Sequence, residues 1–272
     1  MQHGTISSAD GTRIAYTAWG AGDPIVIIDG ATAYRATAPE NASAAELLAD
    51  EFLVITYDRR GRGESGDTPP YAVEREFDDL AAVIDQAGGG RPATVFGWSS
   101  GGNLALNAAQ AGAPISRLAL FEPNAVVDDT RPPLPADYVE RLDAAVAAGR
   151  PGDAVALFMT AAVLAPDDMV AEMRQDPQVW AGLEAIAPTI AYDGRNVREA
   201  MTGAPLPAGL WDRVGLPILV MNGRDTWPFL ATAARSIAEH LPTATYRVVP
   251  GAEHTTAPDV LAAALRAFVK EA

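Results

Sequence analysis

Cysteine is absent from all 272 residues. That excludes disulfides, thiolate catalysis and zinc–cysteine sites. Basic residues are scarce, 20 Lys and Arg against 35 Asp and Glu, for a formal net charge of −15. Such a surface repels nucleic acid and anionic membranes, so neither is expected as a partner. Long apolar runs are lacking as well. None approaches membrane-spanning length, and "MQHGTISSADGTR" carries no basic-then-apolar leader pattern. A soluble cytoplasmic protein is expected. Histidine occurs only three times, which narrows any search for a catalytic base.

The composition, 49% hydrophobic and 20% charged, is that of a globular chain. The length fits one large domain, or one domain with an insertion. Ala9-Asp10-Gly11-Thr12 separates two alternating runs and predicts a hairpin. Short apolar runs then alternate with helical stretches. Strands are expected over 25–29, 53–58, 94–98, 117–121, 217–222 and 245–249. Helices are expected over 42–50, 74–86, 100–111, 228–240 and 258–270. Continuous apolar strands separated by helices imply an α/β fold, with a mostly parallel sheet covered on both faces. From Asn124 to Leu210 there is no strand candidate, only alanine-rich helical pattern broken by prolines. A helical insertion over 124–210 is therefore expected, with 1–123 and 211–272 forming the core.

"ATVFGWSSGGNLALNAA" is the most informative stretch. A strand runs into Gly97-Trp98-Ser99-Ser100-Gly101, a Gly-x-Ser-x-Gly pattern, and a helix follows. A sharp strand-to-helix turn forces its serine into a strained backbone with the hydroxyl projecting above the sheet, and flanking side chains would clash. Ser99 also lies at a helix N-terminus, which favours developing negative charge. The plainer alternative is a Gly/Ser turn with one serine capping the helix.

A serine nucleophile needs a base. His3 lies in the first strand, and His240 ends a helix, where a histidine suits the dipole. His254, in "VVPGAEHTTAP", follows the last strand at the carboxyl edge of the sheet, where sites gather. It is the expected base, and a carboxylate must orient it. Asp225 in "GRDTWP" is favoured, because Ser99…Asp225…His254 matches the chain order of one fold family. Glu122, ending "LALFE", is the rival, and Asp29 is the third candidate. Gly61-Arg62-Gly63-Glu64-Ser65-Gly66 fits a dinucleotide fingerprint, but "DTPPY" follows where a helix should begin, so that reading fails.

These residues together resemble the α/β-hydrolase fold superfamily over the whole chain. "PIVIIDG", "YDRRGRGESG", "GWSSGG", "NGRD" and "PGAEH" carry the match. "DGA…YR" followed by "YDRRGRGESGDT" also resembles a bacterial subgroup. The resemblance implies that the insertion is a helical cap. It also implies a cofactor-independent hydrolase that needs no metal, acting on a small-molecule ester or thioester. By the same resemblance, the N–H groups of Ala31 and Ser100 form the oxyanion hole. Non-hydrolytic use of the triad (lyase, cyclase or acyl transfer) and non-catalytic ligand binding remain alternatives. Tyr34, Trp98, Trp227 and Asp29 are candidate pocket residues.

Asp29 departs from the family, where the corresponding loop often begins His-Gly. An ionised carboxylate about 6 Å from an oxyanion costs roughly 2.8 kcal/mol at an effective dielectric near 20. One oxyanion donor is worth about 2.7–4 kcal/mol. Asp29 is therefore expected to be paired, turned away or protonated. Pairing with Arg59 or Arg60, which leave the next strand at the same edge, stands beside a purely local turn role.

Overall fold

In the computed structural model, which describes residues 1–271, Asp10 and Gly11 turn the chain between β1 (Gln2–Ser7) and β2 (Arg13–Trp19). Gly11 takes a φ of 82°, and Asp10 accepts a bond from the Thr12 N–H at 2.9 Å, the local chemistry that makes Asp-Gly a turn. From there strands and helices alternate. The order is β3 (Asp23–Ile28), α1 (Pro39–Leu48), β4 (Phe52–Tyr57), α2 (Val73–Ala82), β5 (Ala93–Trp98), α3 (Ser100–Gln110) and β6 (Ile115–Phe121). With β7 (Ile218–Asp225) and β8 (Ala244–Ala252), the eight strands form one sheet in the order β1-β2-β4-β3-β5-β6-β7-β8. Only the β1–β2 and β2–β4 pairs are antiparallel.

Side-chain alternation divides the core in two. Val26, Ile28 and Val95 face a cluster closed by Leu80 of α2 and Leu104 of α3. Ile25, Ile27 and Phe96 face the opposite cluster with Leu48 of α1. The four residues Ile25–Ile28 are each at most 1% exposed. At about 1.5–3 kcal/mol for each buried aliphatic side chain, that strand contributes about 6–12 kcal/mol. This margin lets β3 end on a buried carboxylate.

Between Phe121 and β7 (Ile218–Asp225) every regular element of the described residues is helical. The segment holds α4 (Tyr138–Ala147), α5 (Pro151–Leu157), α6 (Asp167–Met173), α7 (Pro177–Ile186) and α8 (Ile190–Val197). Gly149 at φ 69° and Pro151 at the first helical position make the turn between α4 and α5. Val139, Leu142, Val155 and Ile190 give this segment a core of its own. The chain then returns through β7, α9 (Pro228–His240), β8 (Ala244–Ala252) and α10 (Pro258–Lys270). β7 and β8 run further than the apolar pattern implied, because Asp225 pairs with Ala252 across a register shift. No helix among the described residues is long and apolar enough to cross a membrane.

Candidate active site

β5 ends at Trp98 and α3 begins at Ser100, leaving Ser99 alone at φ 53° and ψ −126°. A Cβ on Gly97 would lie 2.5 Å from the Gly101 carbonyl oxygen, and one on Gly101 would lie 2.6 Å from that of Ile28. The two glycines are therefore required for the turn to close. A non-glycine residue held at positive φ costs about 1–3 kcal/mol. The fold holds it there with a bond from the Ser99 N–H to the Phe121 carbonyl, 2.9 Å.

His254 follows β8, also at positive φ (68°), with its ring about a quarter exposed. Its Nδ1 meets Glu122 Oε2 at 2.5 Å. The other oxygen of Glu122 accepts the Gly223 N–H at 2.8 Å. Glu122 is fully buried, and its backbone too is turned to positive φ (48°) at the end of β6. The expectation that Asp225 orients His254 is thus corrected. β7 continues through Asp225 and leaves its side chain exposed, so no short loop swings it back to the histidine. Glu122 reaches because β6 lies between β5, which leads into Ser99, and β7.

Ser99 Oγ accepts a 3.2 Å bond from Asn124 Nδ2, and no hydrogen bond joins it to His254 in this resting arrangement. Asn124 is fixed in turn by α3. Its N–H donates to Asn103 Oδ1 and its carbonyl accepts from Asn103 Nδ2, both at 2.8 Å. No motif marked Asn124 in the sequence.

The N–H groups of Ala31 and Ser100 have no protein partner among the described residues, and both residues border the same cavity as Ser99 and His254. The loop carrying Ala31 is gripped from the loop after β4. Asp58 accepts the Arg35 N–H and its guanidinium, both at 2.9 Å. Arg62 donates to the carbonyls of Gly30 (2.7 Å) and Ala33 (3.3 Å). The pairing expected of Asp29 with Arg59 or Arg60 does not occur. Arg59 is held by Glu76 and Asp193, and Arg60 by Asp79 and Asp10. Asp29 instead accepts a short bond from Asn41 of α1. Burial pushes its carboxyl up to about 6, against the opposing effects of Asn41 and the Arg62 charge. The arginine that secures this loop is Arg62, and it does so through the backbone.

Asp193 of α8 joins these parts. One oxygen accepts from Arg59 (2.6 Å) and from Ser100 Oγ (2.7 Å), and the other pairs with Arg62. Burial raises its pKa, but the two arginines outweigh that and hold it below the usual carboxylate range.

Residues 20–264 match the Alpha/beta hydrolase family. The chain belongs to that family. An α/β hydrolase from Sphaerobacter thermophilus is 49% identical, over 98% of this chain and 100% of that one, with a TM-score of 0.86. A non-heme chloroperoxidase from Streptomyces lividans is 27% identical over 98% of this chain and 99% of its own length. A thermophilic esterase from Thermogutta terrifontis is 23% identical, covers 100% and 99% of the two chains, and has a TM-score of 0.71. That last likeness bears on the fold alone.

In this α/β hydrolase the cavity beside Ser99 lies between the carboxyl edge of the sheet and the helical segment that follows β6. Ala31, Ser100, Trp227 and His254 line it from one side, Tyr138, Phe158, Asp193 and Val197 from the other. Trp227 stacks on His254 with ring centres 6.5 Å apart. Trp98 borders a second cavity with Asp29, Ser99 and His254. Tyr34 lies in a third, away from Ser99, with Asp29 and Arg35. Of the candidate pocket residues, Trp227 therefore lines the first of these cavities, Trp98 and Asp29 the second, and Tyr34 with Asp29 the third.

Proposed function

We propose that this α/β hydrolase cleaves a carboxylic ester or thioester through Ser99, His254 and Glu122. The observation that carries the reading is the Glu122–His254 bond beside a serine held at positive φ. Substrate entering the cavity displaces Ser99 Oγ from Asn124 toward His254 Nε2, a contact that often tightens only in the substrate complex. The Ser99 oxygen attacks the carbonyl carbon while His254 takes its proton. Glu122 keeps the proton on Nδ1 and stabilises the imidazolium. The free N–H groups of Ala31 and Ser100 receive the oxyanion. Collapse expels the alcohol or thiol, which takes the proton from His254. Water then attacks the acyl-enzyme with His254 as base, releasing the acid and restoring Ser99. Residues 124–210 act as a cap that excludes bulk water.

A fluorophosphonate probe should label the wild type and not Ser99→Ala, and a short-chain ester panel should show turnover. Absence of labelling, or equal labelling of the variant, refutes the mechanism. A second reading, transfer of the acyl group to hydrogen peroxide, is favoured by the 27% identity to a protein named a chloroperoxidase. It predicts peracid formation when peroxide is added to the ester assay.

A further inference from the structure

Four arginines are buried in the described residues: Arg59, Arg60, Arg62 and Arg131. Three have carboxylate partners, Arg59 with Glu76 and Asp193, Arg60 with Asp79 and Asp10, and Arg62 with Asp193. Arg131 is 6% exposed, and no described carboxylate lies within 4.0 Å of its nitrogens. A buried charge without a counter-ion is costly and calls for one.

Arg131 is not idle. Its Nε donates to the Pro132 carbonyl at 3.2 Å, and its two terminal nitrogens donate to Ala162 and Ala161, both at 3.0 Å. The two alanine carbonyls end the π-helical turn Phe158–Ala162, where a cation suits the helix C-terminus. Those bonds use three of the five guanidinium donors, leaving one N–H on each terminal nitrogen. The residue borders the same cavity as Ser99 and His254. Its guanidinium lies 5.1 Å above the Phe229 ring, Phe229 stacks on Trp227, and Trp227 on His254. An unbroken run of rings thus leads from the charge to the base. Tyr138 lines the same wall, and its hydroxyl has no hydrogen-bond partner among the described residues.

No other charge in the cavity offsets Arg131. Both oxygens of Asp193 are taken by Arg59, Arg62 and Ser100, and Glu122 is taken by His254 and Gly223. Burial pushes the Arg131 pKa down, as expected of a cation lacking its anion.

We propose that Arg131 forms an anion subsite in the Ser99 cavity, so that the substrates are esters carrying a free carboxylate at the end held beneath the cap. The two unused N–H groups bind that carboxylate, and the ring run carries the rest of the substrate to Ser99. Arg131 is a specificity residue in this scheme and takes no part in bond making. The proposal rests on the serine-hydrolase reading above.

The test compares mono-4-nitrophenyl esters of succinate, glutarate and adipate with neutral 4-nitrophenyl esters of matched length. At one length or more, the wild type should show a kcat/KM about 10- to 100-fold higher for the anionic ester, carried mainly by KM, as for a charge-assisted bidentate contact. Arg131→Met should erase that ratio. Because the ratio is read, a general loss of activity cancels. Arg131→Lys, which keeps charge and donors but not the planar fork, should lower the ratio severalfold, and it serves if Arg131→Met does not fold. Equal rates for charged and neutral esters at every length, or an unchanged ratio in either variant, overturns the subsite. Calorimetry of glutarate on Ser99→Ala separates it from the catalytic reading. Binding there, weakened at least about tenfold in Ser99→Ala with Arg131→Lys, supports the subsite even if no ester turns over. No binding, or tighter binding of inorganic phosphate than of glutarate, overturns it.

Discussion

Replacing Glu122 by glutamine leaves the shape of the side chain and removes its charge. In the native protein one oxygen accepts the Gly223 N–H at 2.8 Å and the other meets His254 Nδ1 at 2.5 Å. A glutamine that keeps the Gly223 bond must turn its NH2 toward Nδ1, so two donors face each other. The imidazole then moves its proton to Nε2, where it can no longer accept one from Ser99. A flipped amide instead leaves the buried Gly223 N–H unpaired, at about 1–3 kcal/mol. The lost charge has its own cost. With about 4 Å between charge centres and an effective dielectric of 20, the imidazolium loses about 4 kcal/mol of stabilisation. That is about a thousandfold in rate. The wrong tautomer brings the total toward about 10^4-fold in kcat, the loss seen for amide replacement of the acid in a Ser-His-Asp triad. The assay is ester hydrolysis by Glu122→Gln and Asp225→Asn, with melting temperature as the fold control. A Glu122→Gln variant within tenfold of wild type, or a larger loss in Asp225→Asn, refutes the assignment of Glu122.

Two other carboxylates give separate outcomes. Asp29 has its folded pKa raised from 3.8 to about 6, so between those values the folded chain binds more protons than the unfolded one. Its contribution to stability therefore falls as pH rises through that window, by about 3 kcal/mol in all. Asp29→Asn should raise stability to urea by that order at pH 7.5 and much less at pH 4, and an equal gain at both pH values refutes the linkage. Asp193→Asn leaves Arg62 without a carboxylate and weakens the hold on Ser100. Breaking a buried pair costs about 3–5 kcal/mol, so calorimetry should show a melting temperature lower by about 10 °C. Esterase activity should fall with it even at low temperature. An unchanged melting temperature would show the network to be dispensable.

How far the site could be read in advance follows from how local its causes are. The elbow was legible because Gly97 and Gly101 answer to contacts within a few residues or with the adjacent strand. His254 stood out in the sequence because only three histidines compete, and the fold sets it in one cavity with Ser99. The carboxylate that meets His254 was not legible, because chain order says nothing about which strand end lies beside that histidine. The neighbouring positions of β6 and β7 decide that, and β7 turned out to run through Asp225. A signal was nonetheless present. Glu122 directly follows the buried apolar run Leu118–Phe121, as Asp29 follows Ile25–Ile28.

The arginine partners failed for the same physical reason. Arg59 and Arg60 leave β4 beside Asp29, yet each finds a carboxylate on α2, and Arg59 finds a second on α8 of the insertion. Asp193 lies 134 residues from Arg59 and 93 from Ser100, distances no local pattern can encode. Through Asp193 and Arg62, one helix of the insertion is tied both to the elbow and to the Gly30 and Ala33 carbonyls of the loop carrying Ala31. Changes in α8 therefore act on the Ala31 loop and on Ser100 as well as on the cavity walls. Under the proposed mechanism, substrate range and catalytic geometry in this α/β hydrolase are not independent variables.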